Sequence, residues 1–243
     1  MNKKIIWITG GSRGIGLALA KDLSQRGYEI VISGTAPAMQ YISEGLFDYT
    51  WLDYKNVHYY PCNITDSSSV DFVLSNIIQN VGIPSALVNN AGIYKSELGS
   101  ELDLGATKKM FDINTFGAMQ LSSEIVKLLL KEKQKGLIAN ILSVAAIRHF
   151  PNAAVYGASK GALAAFAKSL REEVRRKGIG VLNIYPGATS TDIWPKEARE
   201  EFADRMMTAE DVAKASADAI DLSLQGSTLI EELVLRPVGG DLS

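Results

Sequence analysis

Tyr156 and Lys160 stand four residues apart in a stretch that reads as helix, so their side chains share one face a turn apart. A free tyrosine titrates near 10, too high to trade protons readily at neutral pH. A neighbouring ammonium favours the phenolate. Lowering the pKa by ~3 units takes roughly 4 kcal/mol of differential stabilisation, within reach of nearby positive charge in a partly dry cleft. The pair therefore predicts proton transfer at the Tyr156 hydroxyl, with the amine keeping the phenol acidic. A second chemical signal is Thr9-Gly10-Gly11-Ser12-Arg13-Gly14-Ile15-Gly16, set between a short apolar run and a helical stretch. Glycines there let the main chain approach a pyrophosphate, and the helix beginning near Gly14 aims free N–H groups and its positive dipole end at the anion. A glycine cluster alone is a common turn; its place between strand and helix predicts nucleotide binding.

The apolar pattern around these groups switches period repeatedly. Runs at Ile5 to Thr9, Ile30 to Ser33, Val57 to Tyr60, Ala86 to Asn89, Leu137 to Leu142, Val181 to Tyr185 and Leu233 to Leu235 read as strands. Between them lie helical stretches from Gly14 to Arg26, Ser68 to Gln79, about Ala106 to Lys131, and Ala154 to Lys177. Gly27 takes the C′ place that suits a residue without a Cβ, and Asp66 is the expected N-cap of the second helix. This alternation predicts a single-domain, doubly wound α/β fold of the Rossmann type, residues 1–243. Its sheet is mostly parallel and seven-stranded, with helices on both faces. The stretch from Thr35 to Asn56 is the least readable; its aromatics are compatible with a short helix.

Composition narrows the function classes. The chain has 243 residues, 47% of them apolar, enough to fill one sizeable core. A net charge of −2 does not suit nucleic acid or an anionic membrane as main partner. The densest basic stretch, Arg171 to Lys177, includes glutamates and reads as a solvated helix face. The single cysteine, Cys62, forms no intramolecular disulfide, as in a reducing compartment, and reads as a buried small side chain. Met1 to Gly11 faintly imitates a signal peptide, but its apolar run is too short for an h-region. No stretch approaches the ~20 apolar residues that span a bilayer, so a soluble, cytoplasmic protein is expected. With two histidines and no clustered ligands, no metal site is expected.

The end of the second strand bears on which nucleotide binds. NAD sites usually place an Asp or Glu there to hold the ribose hydroxyls. Here Ile32-Ser33-Gly34-Thr35 has none, and Glu29 lies at the strand's wrong end. With no carboxylate to repel a 2′-phosphate, and with Arg13 in the turn, NADP(H) is expected.

Taken together, the motifs resemble those of the short-chain dehydrogenase/reductase family over nearly the whole chain. The glycine turn matches T-G-x-x-x-G-x-G, Asn89-Asn90-Ala91-Gly92 matches N-N-A-G, and Pro186-Gly187 matches the P-G turn. Ser143 with Tyr156 and Lys160 as Y-x-x-x-K, and Asn114 between, match the catalytic signature. Ser33 to Thr35 and Asn63-Ile64-Thr65-Asp66 resemble ketoacyl-carrier-protein reductases, although many relatives carry Asp where Asn63 stands, and Leu235 to Gly240 departs from the usual ending. The resemblance implies hydride transfer between NADP(H) and a carbonyl or secondary alcohol, with Tyr156 as general acid/base. Ser143 would hydrogen-bond the reacting oxygen, Lys160 would hold the nicotinamide ribose, and Asn114 would position a proton-relaying water. The cofactor would lie against Gly10, Ser12, Arg13, Gly14, Ile15, Gly16, Thr35, Asn63, Ile64, Asn90, Ala91, Gly92, Pro186, Gly187, Thr189 and Thr191. Tyr94, Ala145, His149, Ala153 and Trp194 would line the substrate cleft, with a lid at about 188–207. Blander readings stay open: Ser143 as a cap, Asn114 as a surface residue, a Tyr and a Lys meeting by chance. Alternatives for the whole chain are an NADPH sensor without turnover, or an epimerase or dehydratase on the same scaffold. Apolar and small residues on more than one stripe of the long helices (Phe116, Met119, Ala164, Ala165, Phe166) point to a homodimer or homotetramer.

Overall fold

A computed structural model describes residues 3–36 and 55–242. The strands are β1 (Ile5–Thr9), β2 (Glu29–Gly34), β3 (Val57–Pro61), β4 (Ala86–Asn89), β5 (Gly136–Ile141), β6 (Ile179–Pro186) and β7 (Glu232–Leu235). The helices are α1 (Gly14–Gln25), α2 (Ser67–Asn80), α3 (Leu104–Phe111), α4 (Ala118–Lys131), α5 (Ala154–Val174), α6 (Lys196–Glu201) and α7 (Ala209–Gln225). The sheet has seven strands in the order β3-β2-β1-β4-β5-β6-β7. Every pairing between these strands is parallel. Most of Thr35 to Asn56, including the short helix expected there, lies outside the described residues.

Side-chain alternation along β1 builds both faces at once. Ile6 and Ile8 join Leu19 and Leu23 of α1 and Ala217 and Ile220 of α7 on one side. Ile5 and Trp7 join Ile77 of α2, Leu121, Ile125 and Leu129 of α4, and Leu170 of α5 on the other. Gly27 has φ +89° and follows the Arg26 cap of α1, and Asp66 caps α2 by accepting the Ser68 N–H.

Two expectations change. The single helix expected over 106–131 is two α segments joined by a π-helical turn, Asp112–Gly117. The wider turn carries Asn114 and Thr115 into the interior, where both are almost fully buried. The helix expected to reach Lys177 ends at Val174 and tightens into a 3₁₀ turn, closed by Gly178 at φ +81°. Two helices, α6 and α7, add to those the apolar pattern predicts. α7 opens on a cap in which the Thr208 hydroxyl accepts the Asp211 N–H, and it packs on α1.

Across β4, β5 and β6 three buried asparagines stand in register. Asn89 donates to Asn140 (2.9 Å) and Asn140 donates to Asn183 (3.0 Å). Asn89 also donates to the Ser122 hydroxyl of α4 at 2.8 Å. Of the second stripe on the long helices, Ala164 is buried and Met119 and Phe166 are partly buried within the chain, while Phe116 is 58% exposed. No helix among the described residues is long and apolar enough to cross a membrane, and none of them form a metal-holding cluster.

Candidate active site

The strand order reverses between β1 and β4, and the loops leaving those strands meet at the resulting crevice. Gly10 and Gly14 adopt φ of +62° and +55°, a region that favours glycine. The neighbouring Asn90-Ala91-Gly92 loop is bolted to this turn. The Thr9 hydroxyl accepts the N–H groups of Asn90 and Ala91, each at 3.1 Å. The Asn90 amide donates to the carbonyls of Thr9 (3.0 Å) and Gly10 (2.9 Å). A Cβ on Gly16 would fall 2.4 Å from that amide nitrogen, so its hydrogen replaces a side chain for packing.

One cleft of about 1110 Å³ runs from this turn across the C-terminal ends of the strands. Gly10, Ser12, Arg13, Gly14 and Ile15 line one end. Thr35, Asn63 and Ile64 line it beside β2 and β3, and Asn90, Ala91 and Gly92 line its middle. Pro186, Gly187, Thr189 and Thr191 close it from β6, with Thr191 lying against Gly14. Tyr94, Ala145, His149, Ala153 and Trp194 line the other end, together with Tyr156, Ser143 and Lys160. Gly16 and Asn114 do not line it. Gly16 packs behind the turn, and Asn114 is engaged with the protein interior. Asn63 lines the cleft with its side-chain oxygen already accepting from the main chain and hydroxyl of Thr65.

β5 delivers Ser143 and α5 delivers the Tyr–Lys pair. The Ser143 hydroxyl oxygen caps a short 3₁₀ turn by accepting the Ala145 N–H at 3.1 Å. It also bears on Tyr156, whose phenol pKa it lowers. Lys160 is 4% exposed and donates to the Ile141 carbonyl at 2.8 Å. Asn114 donates to the carbonyl of Ile93 (2.9 Å) and accepts its N–H (2.8 Å), so it is an interior residue and not a surface one. A Cβ on Gly92 would lie 3.2 Å from both the Asn114 oxygen and the Lys160 amine, so the absent side chain leaves these two groups facing one small space. The Tyr94 ring meets the Tyr156 ring edge-on at 5.0 Å and the Trp194 ring at 5.5 Å, which sets aromatic walls around the phenol.

The electrostatics differ from the expected phenolate. Burial pushes Tyr156 up to about 12, with the Ser143 hydrogen bond pulling down and Tyr94 pushing up. Burial pulls Lys160 down to about 8. In the protein alone, desolvation is the largest influence on each, and both groups are held toward their neutral forms. The four-residue spacing reveals the neighbouring charge; the cost of drying the pocket appears only in the folded chain.

The cleft has further walls that the motifs do not announce. Arg148, Phe150, Phe202, Asp241 and Leu242 also line it. They come from three distant segments and carry no local spacing signal.

The family model described as short chain dehydrogenase matches residues 4–201. Dehydrogenase/reductase SDR family member 7 of Mus musculus is 31% identical over 204 residues, covering 83% of this chain and 60% of that protein's length. The 3-oxoacyl-(acyl-carrier-protein) reductase of Salmonella typhimurium is 34% identical over 190 residues, covering 78% of this chain and 75% of that protein. A solved structure of ElxO with NADP bound superposes with a TM-score of 0.85 at 27% identity, covering 96% of this chain and 97% of that one.

Proposed function

The chain belongs to the short chain dehydrogenase family, and on that premise we propose that it is an NADP(H)-dependent oxidoreductase acting on a carbonyl or secondary alcohol. The observation that carries this reading is that Ser143, Tyr156 and Lys160 line one cleft with the glycine turn of α1. The turn fits a dinucleotide: its left-handed glycines leave the main chain bare where a pyrophosphate would press, at a helix N-terminus. NADP in the related ElxO structure supports the phosphorylated cofactor. So does Arg13 on the cleft wall. When bound, the nicotinamide would supply or accept the hydride.

The chain's own groups handle the proton. Tyr156, kept protonated by its dry surroundings, donates its hydroxyl proton to the substrate oxygen during reduction. Ser143 donates a hydrogen bond to that same oxygen as negative charge gathers on it. Lys160 would hold the cofactor ribose, and its charge would favour the phenolate and bring the phenol down from its raised value. Asn114 and Lys160 face one space beside Gly92, which suits a water that carries protons outward. Residues 188–207 act as the lid, and two or four copies assemble through the face that bears Phe116.

Tyr156→Phe tests the reading. Turnover of ketones is expected to fall ~10²–10⁴-fold, with NADPH affinity retained. Near-normal turnover removes Tyr156 from the mechanism. Tight NADPH binding by the wild type without turnover of any carbonyl class would make the chain a sensor.

A further inference from the structure

We propose that Asp241 is a positioning residue for the substrate end of the cleft, a role that rests on the oxidoreductase reading. Its carboxylate Oδ2 accepts from Arg148 and from Arg236, each at 2.7 Å, and its main-chain carbonyl accepts from Arg205 at 3.3 Å. These arginines come from different walls. Arg148 follows the Ser143 turn, Arg205 belongs to the 188–207 segment, and Arg236 follows β7. One residue thus ties the loop carrying Ser143, the lid segment and the C-terminal tail into a single rim.

The tie reaches the cleft surface through two rings. The Arg148 guanidinium lies 5.6 Å from the centroid of Phe150, and that of Arg205 lies 5.9 Å from Phe202. Both rings line the cleft, as does Leu242 beside Asp241. The rim so positioned presents apolar Phe150, Phe202 and Leu242 beside the charged Arg148 and Asp241, and its apolar part selects the non-reacting part of a substrate.

The anchor of this tail is electrostatic. Val238 is wholly exposed, and no residue from 238 to 242 is buried as a whole. The Asp241 side chain, in contrast, is only 7% exposed. Its second oxygen, Oδ1, is buried and has no hydrogen-bond partner among the described residues. Oδ2 and the main chain hold the tail, beside the partly buried Leu242.

The experiment pairs steady-state kinetics with hydrogen–deuterium exchange on the full chain. In D241N, KM for an aryl ketone such as acetophenone should rise about tenfold, roughly 1.4 kcal/mol of lost binding. The kcat, the NADPH Kd and KM for propanal should stay within about twofold, because Asp241 acts through Arg148 and Arg236 and makes no bond to Ser143, Tyr156 or Lys160 among the described residues. Amide exchange should quicken over 144–153 and 188–207 and stay unchanged over α1. R148Q should reproduce part of the effect, and the D241N/R148Q double variant should be no worse than D241N alone. The proposal is overturned if exchange over both loops is unchanged in D241N, or if NADPH affinity and Tm fall along with it. Should the wild type reduce neither probe, the enzymatic reading is what fails, and the exchange data still decide whether Asp241 orders the rim.

Discussion

Lys160→Met should make the protein's stability lose a pH dependence that wild type carries. Burial brings the amine from 10.5 to about 8 in the folded chain, a difference worth about 3 kcal/mol at 1.36 kcal/mol per unit. The group is 4% exposed, so solvent screening removes little of this. The sign follows from proton counting. Between pH 8 and 10.5 the unfolded chain holds the lysine proton and the folded chain does not, so stability rises with pH across that window. Below it the whole penalty applies; above it the penalty is gone. From pH 7.5 to 9.5 the wild type should therefore gain about 2 kcal/mol relative to Lys160→Met. The Ile141 carbonyl loses its donor in the variant, but that cost is nearly constant with pH and cancels from the slope. Cys62, whose thiol burial raises, titrates in both proteins and cancels as well. Urea unfolding at fixed protein concentration without cofactor, at pH 7.5, 8.5 and 9.5, reads the difference. A wild-type-minus-variant stability that stays flat over that range would refute a desolvated amine at this position.

Two further outcomes test the binding end and the assembly. Arg13→Ala should raise KM for NADPH about tenfold or more while changing KM for NADH little, since charge-assisted bonds to a 2′-phosphate are lost; equal effects on both would defeat the phosphate assignment. Size-exclusion chromatography with light scattering should give two or four times the 26.3 kDa chain mass, and a particle of the single chain mass would reject the assembly.

Local signals make much of this molecule legible. β1, the glycine turn and α1 lie within one short stretch, so period, glycine placement and helix start point the same way. Tyr156 and Lys160 are visible because four residues make about one helical turn. The π turn at Asp112–Gly117 is not legible, because an added residue in a helix leaves no composition mark. α7 is legible in principle, since Thr208 marks its start and Val212, Ala213, Ser216, Ala217 and Ile220 share its buried face. The Asp241 rim cannot be read from the sequence at all. Its arginines lie up to 93 residues away along the chain, and only folding brings them together. The raised phenol pKa escapes sequence reasoning for a related reason, since dryness is a property of the assembled pocket.

The asparagine row across the sheet has a consequence for how this sequence can change. Asn140 accepts from Asn89 and donates to Asn183, so replacing Asn140 alone would strand polar atoms on both sides. Replacing all three with apolar side chains of similar shape removes the demand along with the supply. Substitution there is tolerated as a block or not at all, which keeps the three strands level where Asn90, Ser143 and Gly187 leave them.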